Sequence, residues 1–246
     1  MSVTWNPWHG CKKISAGCLN CYVYRQDFKF EKDSSIVTKN ASFNLPTRKN
    51  RNGSYKIPSG EMVFTCFTSD FFLKEADAWR EVVWKMIKER TDLNFFIITK
   101  RPDRFFISLP DDWRGGYENV YVSCTVENQK MADFRLPIFL KLPIKHKFIA
   151  VSPLLEKINL LHYLNSEIEE VVVGGESGKF ARICDYRWVL NLRDQCISKD
   201  VPFWFHQTGS KLYKDGKLYN IPRKYHHSQA EKANINYKTE KFKEEK

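Results

Sequence analysis

Three cysteines lie close together near the N-terminus, in "WHGCKKISAGCLNCYVYR", residues 8–25. Cys11, Cys18 and Cys21 have the spacing C-x6-C-x2-C, in a chain that has seven cysteines in all. In a reducing compartment, cysteines clustered this densely indicate a metal centre or catalysis rather than disulfides. The odd number of cysteines also argues against a complete set of disulfides.

Two kinds of metal centre are consistent with this spacing. A four-iron cluster takes cysteine thiolates, and three of them leave one iron open to a substrate or cofactor. Gly10 and Gly17 each directly precede a cysteine and let the backbone curve around such a cluster. A structural zinc site takes four Cys or His ligands, and His9 is the nearest fourth candidate. The spacing alone leaves both interpretations open.

Charge distribution indicates what the protein binds. The chain of 246 residues has a formal net charge of +11. Residues 25–56 contain eight basic and three acidic residues, and residues 211–246 contain ten basic and five acidic residues. Basic segments of this kind suit nucleic acid, although a solvated basic surface has the same composition. We therefore expect a nucleic acid as a partner.

Composition also indicates where the protein works. Its hydrophobic fraction of 42% and aromatic fraction of 15% are typical of a folded protein. No apolar run approaches the roughly 18 residues of a membrane span, and the N-terminus lacks the pattern of a signal peptide. We expect a cytoplasmic protein with no membrane partner.

Short apolar runs alternate with helical patterns along most of the chain. This rhythm predicts βαβ units and a parallel sheet, as a partial or complete (β/α) barrel or, alternatively, a doubly wound sheet. We expect a single barrel domain over residues 1–210, with a basic insert at about 25–58. A basic extension over residues 211–246, partly disordered, follows it. The six runs are residues 61–70, 94–102, 119–128, 145–153, 169–178 and 202–209, with "TWNPW" as a seventh.

Polar residues follow almost every predicted strand. In a parallel barrel the carboxyl ends of the strands meet at one mouth, where such enzymes keep their active site. We therefore predict one site there, with acid–base, anion-binding or substrate-contacting roles for the charged side chains. The catalytic candidates are Asp70, Lys100, Glu127 and His206.

The motifs of this chain resemble a known family. "WNPWHGCKKISAGCLNCY", "TSDFF", "ITKRPDR", "VSCTVENQ", "VSPLLEKI", "VVVGGESG" and "FWFHQTG" occur in order over roughly residues 4–209. Together they are similar to motifs of the phage Gp37/Gp68 family, also called the DUF5131 or three-Cys-motif proteins. This resemblance implies a partial barrel of radical S-adenosylmethionine type, with a [4Fe-4S] cluster on Cys11, Cys18 and Cys21.

The resemblance also implies a cofactor site at the strand ends. The glycine-rich "GGESG" would approach an anion or the methionine part of S-adenosylmethionine closely. A simple strand-to-helix turn is the other interpretation of a Gly-Gly pair. The cofactor-binding candidates are Tyr22, Ser123, Gly174, Gly175, Glu176 and Ser177.

Several positions depart from the usual motif of radical enzymes or from the motifs of that family. The first cysteine gap is six residues instead of the three usual in radical enzymes, and Asn20 replaces an aromatic residue before the last cysteine. Val151 and Ser152 replace a Cys-Glu pair, and His206 replaces a lysine. These changes concern the predicted mouth of the barrel.

We therefore expect an iron–sulfur enzyme that cleaves S-adenosylmethionine and acts on a nucleic acid or nucleotide. Such an enzyme needs an electron donor for its cluster. The alternative is a non-catalytic nucleic-acid-binding protein with a structural zinc. A hydrolase or lyase that uses the barrel mouth is the third hypothesis.

Overall fold

The computed structural model describes residues 2–239, and the chain divides into two compact units. The first unit contains the chain up to residue 13, residues 23–124 and residues 141–146. The second contains residues 14–22, 125–140 and the chain from residue 147 onward. Residues 240–246, the end of the predicted basic tail, lie outside the described residues.

Parallel strands form the sheet of the first unit. Strand β1 pairs with β4, β4 with β5 and β5 with β6, always in parallel and in chain order. A short antiparallel pair, β2 with β3, lies beside the cysteine motif in sequence. The strands are β1 (Ser2–Trp5), β2 (Trp8–His9), β3 (Thr38–Lys39), β4 (Met62–Thr65), β5 (Asn94–Thr99) and β6 (Val120–Thr125).

Two helices belong mainly to this unit, α1 (Tyr22–Phe28) and α2 (Asp77–Glu89). Helix α2 buries Arg80, Val83, Trp84 and Ile87, the i, i+3, i+4, i+7 stripe of an amphipathic helix. Val82 lies off this stripe and is 45% exposed.

The second unit repeats the parallel arrangement. Strand β7 pairs with β8, and β8 with β10, again in parallel and in chain order. Asp185 accepts a hydrogen bond from the Arg187 N–H at 2.8 Å and caps the last long helix, as predicted. The elements are α3 (Gln129–Phe139), β7 (His146–Val151), β8 (Ile168–Gly174), β9 (Cys184–Asp185), α4 (Tyr186–Ser198) and β10 (Phe203–Gln207).

Residues 211–239 of the predicted C-terminal extension contain defined elements, and its partial disorder stays a prediction. Strands β11 (Lys211–Lys214) and β12 (Lys217–Asn220) form a hairpin, and helix α5 (His226–Lys232) follows. The hairpin turn places Asp215 and Gly216 at φ of 52° and 76°, as a two-residue turn of this kind requires. Residues 211–239 therefore fold with the second unit.

The arrangement of strands decides between the predicted fold classes. Strands run in chain order within each unit, without the reversal that defines a doubly wound sheet. Among the strands of residues 2–239, β1 pairs in parallel with β4 alone, and β10 pairs in parallel with β8 alone. The predicted α/β class, a partial (β/α) barrel of parallel strands, is confirmed, and "TWNPW" supplies the seventh strand, β1.

The helices are short. Within residues 2–239, none has the length and apolar character needed to cross a lipid bilayer.

Burial predicts how much individual side chains stabilise the sheet. Phe95 on β5 is fully buried and packs edge-to-face on Trp5 at 5.9 Å, whereas Phe106 is 64% exposed. We expect Phe95→Ala to lower the free energy of unfolding by about 3–5 kcal/mol because it leaves a cavity. The matched variant Phe106→Ala should change it by less than about 1 kcal/mol. Urea titrations followed by circular dichroism measure both, and equal effects would contradict the assignment of Phe95 to the core.

Candidate metal centre

The seven cysteines fall into two groups by their surroundings. Cys11, Cys18 and Cys21 are partly exposed, and none of the seven forms a disulfide. The other four, Cys66, Cys124, Cys184 and Cys196, are buried. Burial raises the pKa of Cys184 and of Cys196 to about 12, and it raises that of Cys66 strongly. The three motif cysteines are therefore the ones with access to a ligand.

The backbone before Cys11 is held in a conformation that needs glycine. Gly10 has a φ of 92°, and a Cβ there would lie 2.4 Å from the Ile36 carbonyl oxygen. The Gly10 N–H donates to the Thr68 carbonyl at 3.2 Å, and the Cys11 N–H donates to that of Ser34 at 2.8 Å. These bonds fix the Cys11 backbone within the first unit.

A buried ion pair lies beside the Cys11 thiol. Arg101, two residues after β5, places Nη1 2.9 Å from Asp70 Oδ2 and 3.8 Å from Cys11 Sγ. Its Nη2 donates to the Lys12 carbonyl at 2.6 Å. Burial lowers the pKa of Arg101, but the charges of Asp70 and Cys11 outweigh this and raise it overall. Arg101 therefore joins the strand end to the cysteine segment as a permanent cation.

Both carboxylate oxygens of Asp70 accept hydrogen bonds in this arrangement. Asp70 is 4% exposed and accepts hydrogen bonds from Thr99 Oγ1 at 2.8 Å and from the Lys100 N–H at 2.9 Å. Its contacts give it a positioning role, and the predicted acid–base role stays a prediction. The Lys100 side chain is half-buried beside it.

In the second unit, a buried glutamate holds the loop of Cys18 and Cys21. Glu127, two residues after β6, is completely buried and accepts from the Gly17 N–H at 3.0 Å. Arg135 on α3 pairs with its other oxygen at 2.8 Å. A Cβ at Gly17 would lie 2.9 Å from the Glu127 carboxyl carbon, so the loop approaches as closely as glycine allows. The predicted catalytic Glu127 thus anchors the loop.

A second glutamate holds the same loop. Glu176, two residues after β8, accepts from Asn20 Nδ2 at 2.9 Å and from Arg182 Nε at 2.9 Å. Arg182 also donates to the Ala16 carbonyl at 3.0 Å. Burial raises the pKa of Glu176, but hydrogen bonds from Arg182 and Asn20 lower it more. Glu176 is therefore an anionic anchor, and Asn20, which replaces the aromatic residue usual in radical enzymes, is one of its hydrogen-bond donors.

The glycines of "GGESG" serve close packing between strands. A Cβ at Gly174 would lie 2.4 Å from His206 Nε2, and one at Gly175 would lie 2.2 Å from the Thr208 carbonyl oxygen. The space that these glycines leave is filled by β10 and the residues after it. Their predicted part in binding a cofactor stays a prediction.

Two departures from the family motifs meet in space. Ser152, after β7, and His206, on β10, lie 3.2 Å apart from Oγ to Nε2. Burial and then the charge of His227 lower the pKa of His206 to about 4. A neutral hydroxyl–imidazole pair therefore occupies two of the positions that depart from the quoted motifs.

The remaining candidates differ in exposure. Tyr22 is 38% exposed and begins α1, next to Cys21. Ser177 is half-buried, whereas Ser123 on β6 is 1% exposed. Tyr22 and Ser177 are thus in contact with solvent whereas Ser123 is buried, and the part of all three in binding a cofactor stays a prediction.

The donor set fits a thiolate-bound cluster. Three partly exposed cysteines outside any disulfide provide the thiolates that iron–sulfur clusters take. Within residues 2–239, no three His, Cys, Asp or Glu side chains are grouped so that they could hold one metal ion. Binding at these three cysteines therefore stays a prediction.

Sequence reasoning missed most of the arginines that organise the site. Arg135 is one of several charged residues of α3, and Arg182 follows β8 in an irregular loop. No local pattern distinguishes either from a surface arginine. Their partners, Glu127 and Glu176, were found because they follow strands.

Comparison with known proteins places the whole chain in one context. A family model described as "Protein of unknown function (DUF5131)" matches residues 1–244. No curated protein matches the sequence. A solved structure, "Spore photoproduct lyase complexed with dinucleoside spore photoproduct", is similar over 93% of this chain and 70% of its own. Its TM-score of 0.44 and identity of 11% are too low to support a conclusion about this chain.

The anchoring role of Glu127 predicts a large effect on stability. Glu127→Gln would leave the Arg135 guanidinium, 2% exposed, without its anionic partner. We expect a loss of about 3–5 kcal/mol in the free energy of unfolding. The control Glu167→Gln breaks the pair with Lys147, in which Glu167 is 60% exposed, and should cost less than about 1 kcal/mol. Similar values from denaturant titrations of the two variants would contradict the anchoring role.

The lowered pKa of His206 predicts a pH dependence. Its folded value of about 4 lies below the unfolded value of about 6.5, so the unfolded chain binds the proton first as pH falls. Stability should therefore decrease as pH falls from about 6.5 to about 4. In His206→Gln the denaturant midpoint of unfolding should depend less on pH over this range. In His162→Gln, at an exposed position, the pH dependence should match that of the wild type. An imidazole titration by NMR with a pKa near 6.5 would refute the assignment.

Proposed function

We propose that this chain, which belongs to the DUF5131 family, is an iron–sulfur enzyme of the radical S-adenosylmethionine type. Cys11, Cys18 and Cys21 would hold a [4Fe-4S] cluster. When bound, such a cluster supplies one electron and one open iron position for the amino and carboxylate groups of S-adenosylmethionine.

The observation that carries this proposal is the separation of the cysteines by exposure. Those of the motif are partly exposed, whereas the others are buried. A buried thiol with a raised pKa stays protonated, and only the thiolate ligates a metal. The exposed set has three members, which leaves a four-iron cluster incompletely ligated.

The chain's own groups support the same use. Arg101 places a guanidinium 3.8 Å from Cys11 Sγ, and cations beside a thiol favour its thiolate form. Glu127 and Glu176 fix the backbone of the loop that carries Cys18 and Cys21. Their arginine partners keep both carboxylates from competing for the metal.

The substrate that we propose is a nucleic acid or nucleotide, because the basic segments suit a polyanion. An electron donor is a required partner, since the cluster must be reduced before it cleaves the cofactor. The cytoplasmic location stays a prediction.

One contact favours the zinc alternative. His9 Nε2 lies 2.7 Å from Asp27 Oδ2, and metal-binding histidines commonly donate their second ring N–H to a carboxylate. A structural zinc on the three cysteines and His9 would leave no open position and would imply a non-catalytic nucleic-acid-binding protein.

Iron and sulfide contents of cysteine variants distinguish a cluster bound at the motif from metal bound elsewhere on the chain. After anaerobic reconstitution we expect close to four irons and four sulfides per chain. Cys11→Ala, Cys18→Ala and Cys21→Ala should each lose most of both, because each removes one of three ligands. The control Cys196→Ala, at a buried position, should retain them.

Metal analysis and absorption spectra of the four variants decide the outcome. One zinc and no sulfide, lost also on His9→Ala, would replace the iron–sulfur proposal by the zinc alternative. An intact cluster in Cys18→Ala would show that the ligands lie elsewhere.

A further inference from the structure

The last residues of α1 and the turn that follows them expose two aromatic side chains. The aromatic turn, residues 26–33, contains Phe28 and Phe30, which are 83% and 73% exposed. These are the largest exposed fractions among the large apolar side chains of residues 2–239. Two neighbouring exposed rings are a candidate surface for stacking by a ligand.

The aromatic turn is held rigidly by its backbone. The Phe30 N–H donates to the Asp27 carbonyl at 2.8 Å, and the Lys32 N–H donates to the same carbonyl at 3.0 Å. Glu31 adopts a φ of 55°, which closes the turn. Two rings on an ordered turn lose little conformational entropy when a ligand stacks on them.

Asp27 connects the aromatic turn to the cysteine segment. It is 7% exposed, accepts from Ser34 Oγ, and lies 2.7 Å from His9 Nε2. Burial raises the pKa of Asp27, but hydrogen bonds from Ser34 and His9 lower it more. The Cys11 N–H donates to the carbonyl of the same Ser34. Asp27 and Ser34 therefore link the backbone of the turn to the segment that carries Cys11.

The exposed charge of residues 25–56 is positive in sum, although Glu31 and Asp33 are exposed on the aromatic turn together with Lys29 and Lys32. Of the eight basic residues in residues 25–56, six are exposed, whereas one of the three acidic residues, Asp27, is buried and hydrogen-bonded. Lys29 and Lys32 lie on the aromatic turn itself. The exposed basic residues are Lys29, Lys32, Lys39, Lys49, Arg51 and Lys56.

We propose that the aromatic turn binds single-stranded nucleic acid, with Phe28 and Phe30 stacking on bases and Lys29 and Lys32 contacting phosphates. Exposed rings interleaved with cations are the arrangement by which proteins hold single strands without reading sequence. A duplex buries its base faces and offers no such stack. The proposal rests on the proposed function for its choice of a polyanionic substrate, and binding itself requires no cluster.

Fluorescence anisotropy with labelled dT20 tests the proposal on the full chain, as purified and after reconstitution. We expect Phe28→Ala/Phe30→Ala to weaken binding at least tenfold, since each stacked base contributes substantially. The dependence of this variant's dT20 affinity on salt concentration should equal that of the wild type. Phe28→Tyr/Phe30→Tyr should bind within about threefold of the wild type, because the rings are retained.

Charge variants and matched controls complete the experiment. Lys29→Gln/Lys32→Gln should reduce the slope of log K against log salt by about 1.4, or about 0.7 for each phosphate contact. Phe106→Ala, also an exposed ring, and Lys141→Gln should bind like the wild type. A 20-base-pair duplex should bind the wild type more weakly than dT20.

Three results would overturn the proposal. The first is unchanged dT20 binding by Phe28→Ala/Phe30→Ala. The second is equal wild-type affinity for dT20 and the duplex, or binding to neither. The third is a wild-type dimer in sedimentation that Phe28→Ala/Phe30→Ala converts to a monomer, which would make the turn a self-association surface. Iron and sulfide content, measured on the same samples, reports separately on the proposed cluster.

Discussion

A carboxylate removed from water must be neutralised at hydrogen-bond distance, and this requirement shapes the cysteine segments of both units. Asp70, Glu127 and Glu176 lie beyond the ends of three parallel strands and are almost completely buried. Each is paired with one arginine: Arg101, Arg135 and Arg182 respectively. Bonds left over from these pairs reach the backbone at Lys12, Gly17 and Ala16. The ion pairs therefore position the main chain of the segments that carry the cysteines.

Much of the fold follows from local sequence pattern. The six apolar runs and "TWNPW" become strands because their side chains are buried or half-buried in alternation, as in "NFFIIT", residues 94–99. Asp185 caps α4 for a purely local reason. Helix α3 escaped prediction because Pro137 and scattered charges obscure its period. The hairpin of β11 and β12 was hidden in a basic, polar stretch, where Asp215-Gly216 was its one local signal.

The site was harder to predict because its organising contacts are distant in sequence. Glu127 meets Gly17 across 110 positions, and Asn20 meets Glu176 across 156. A carboxylate after a strand looks the same in sequence whether it exchanges protons or holds a loop. Gly174 illustrates the same limit, because only the position of the His206 ring shows that its missing side chain makes room for a neighbouring strand. The cysteine motif could be recognised in the sequence because its three cysteines lie within eleven positions of one another.

The central claim is that three exposed thiols leave one iron of a four-iron cluster open. Mössbauer spectroscopy of the full chain, reconstituted with 57Fe, tests this directly with and without S-adenosylmethionine. The account predicts a [4Fe-4S] spectrum in which one iron of the four shifts when S-adenosylmethionine is added. Four irons that remain equivalent and unchanged after the addition, or a chain that takes up zinc instead of iron and sulfide, would contradict it.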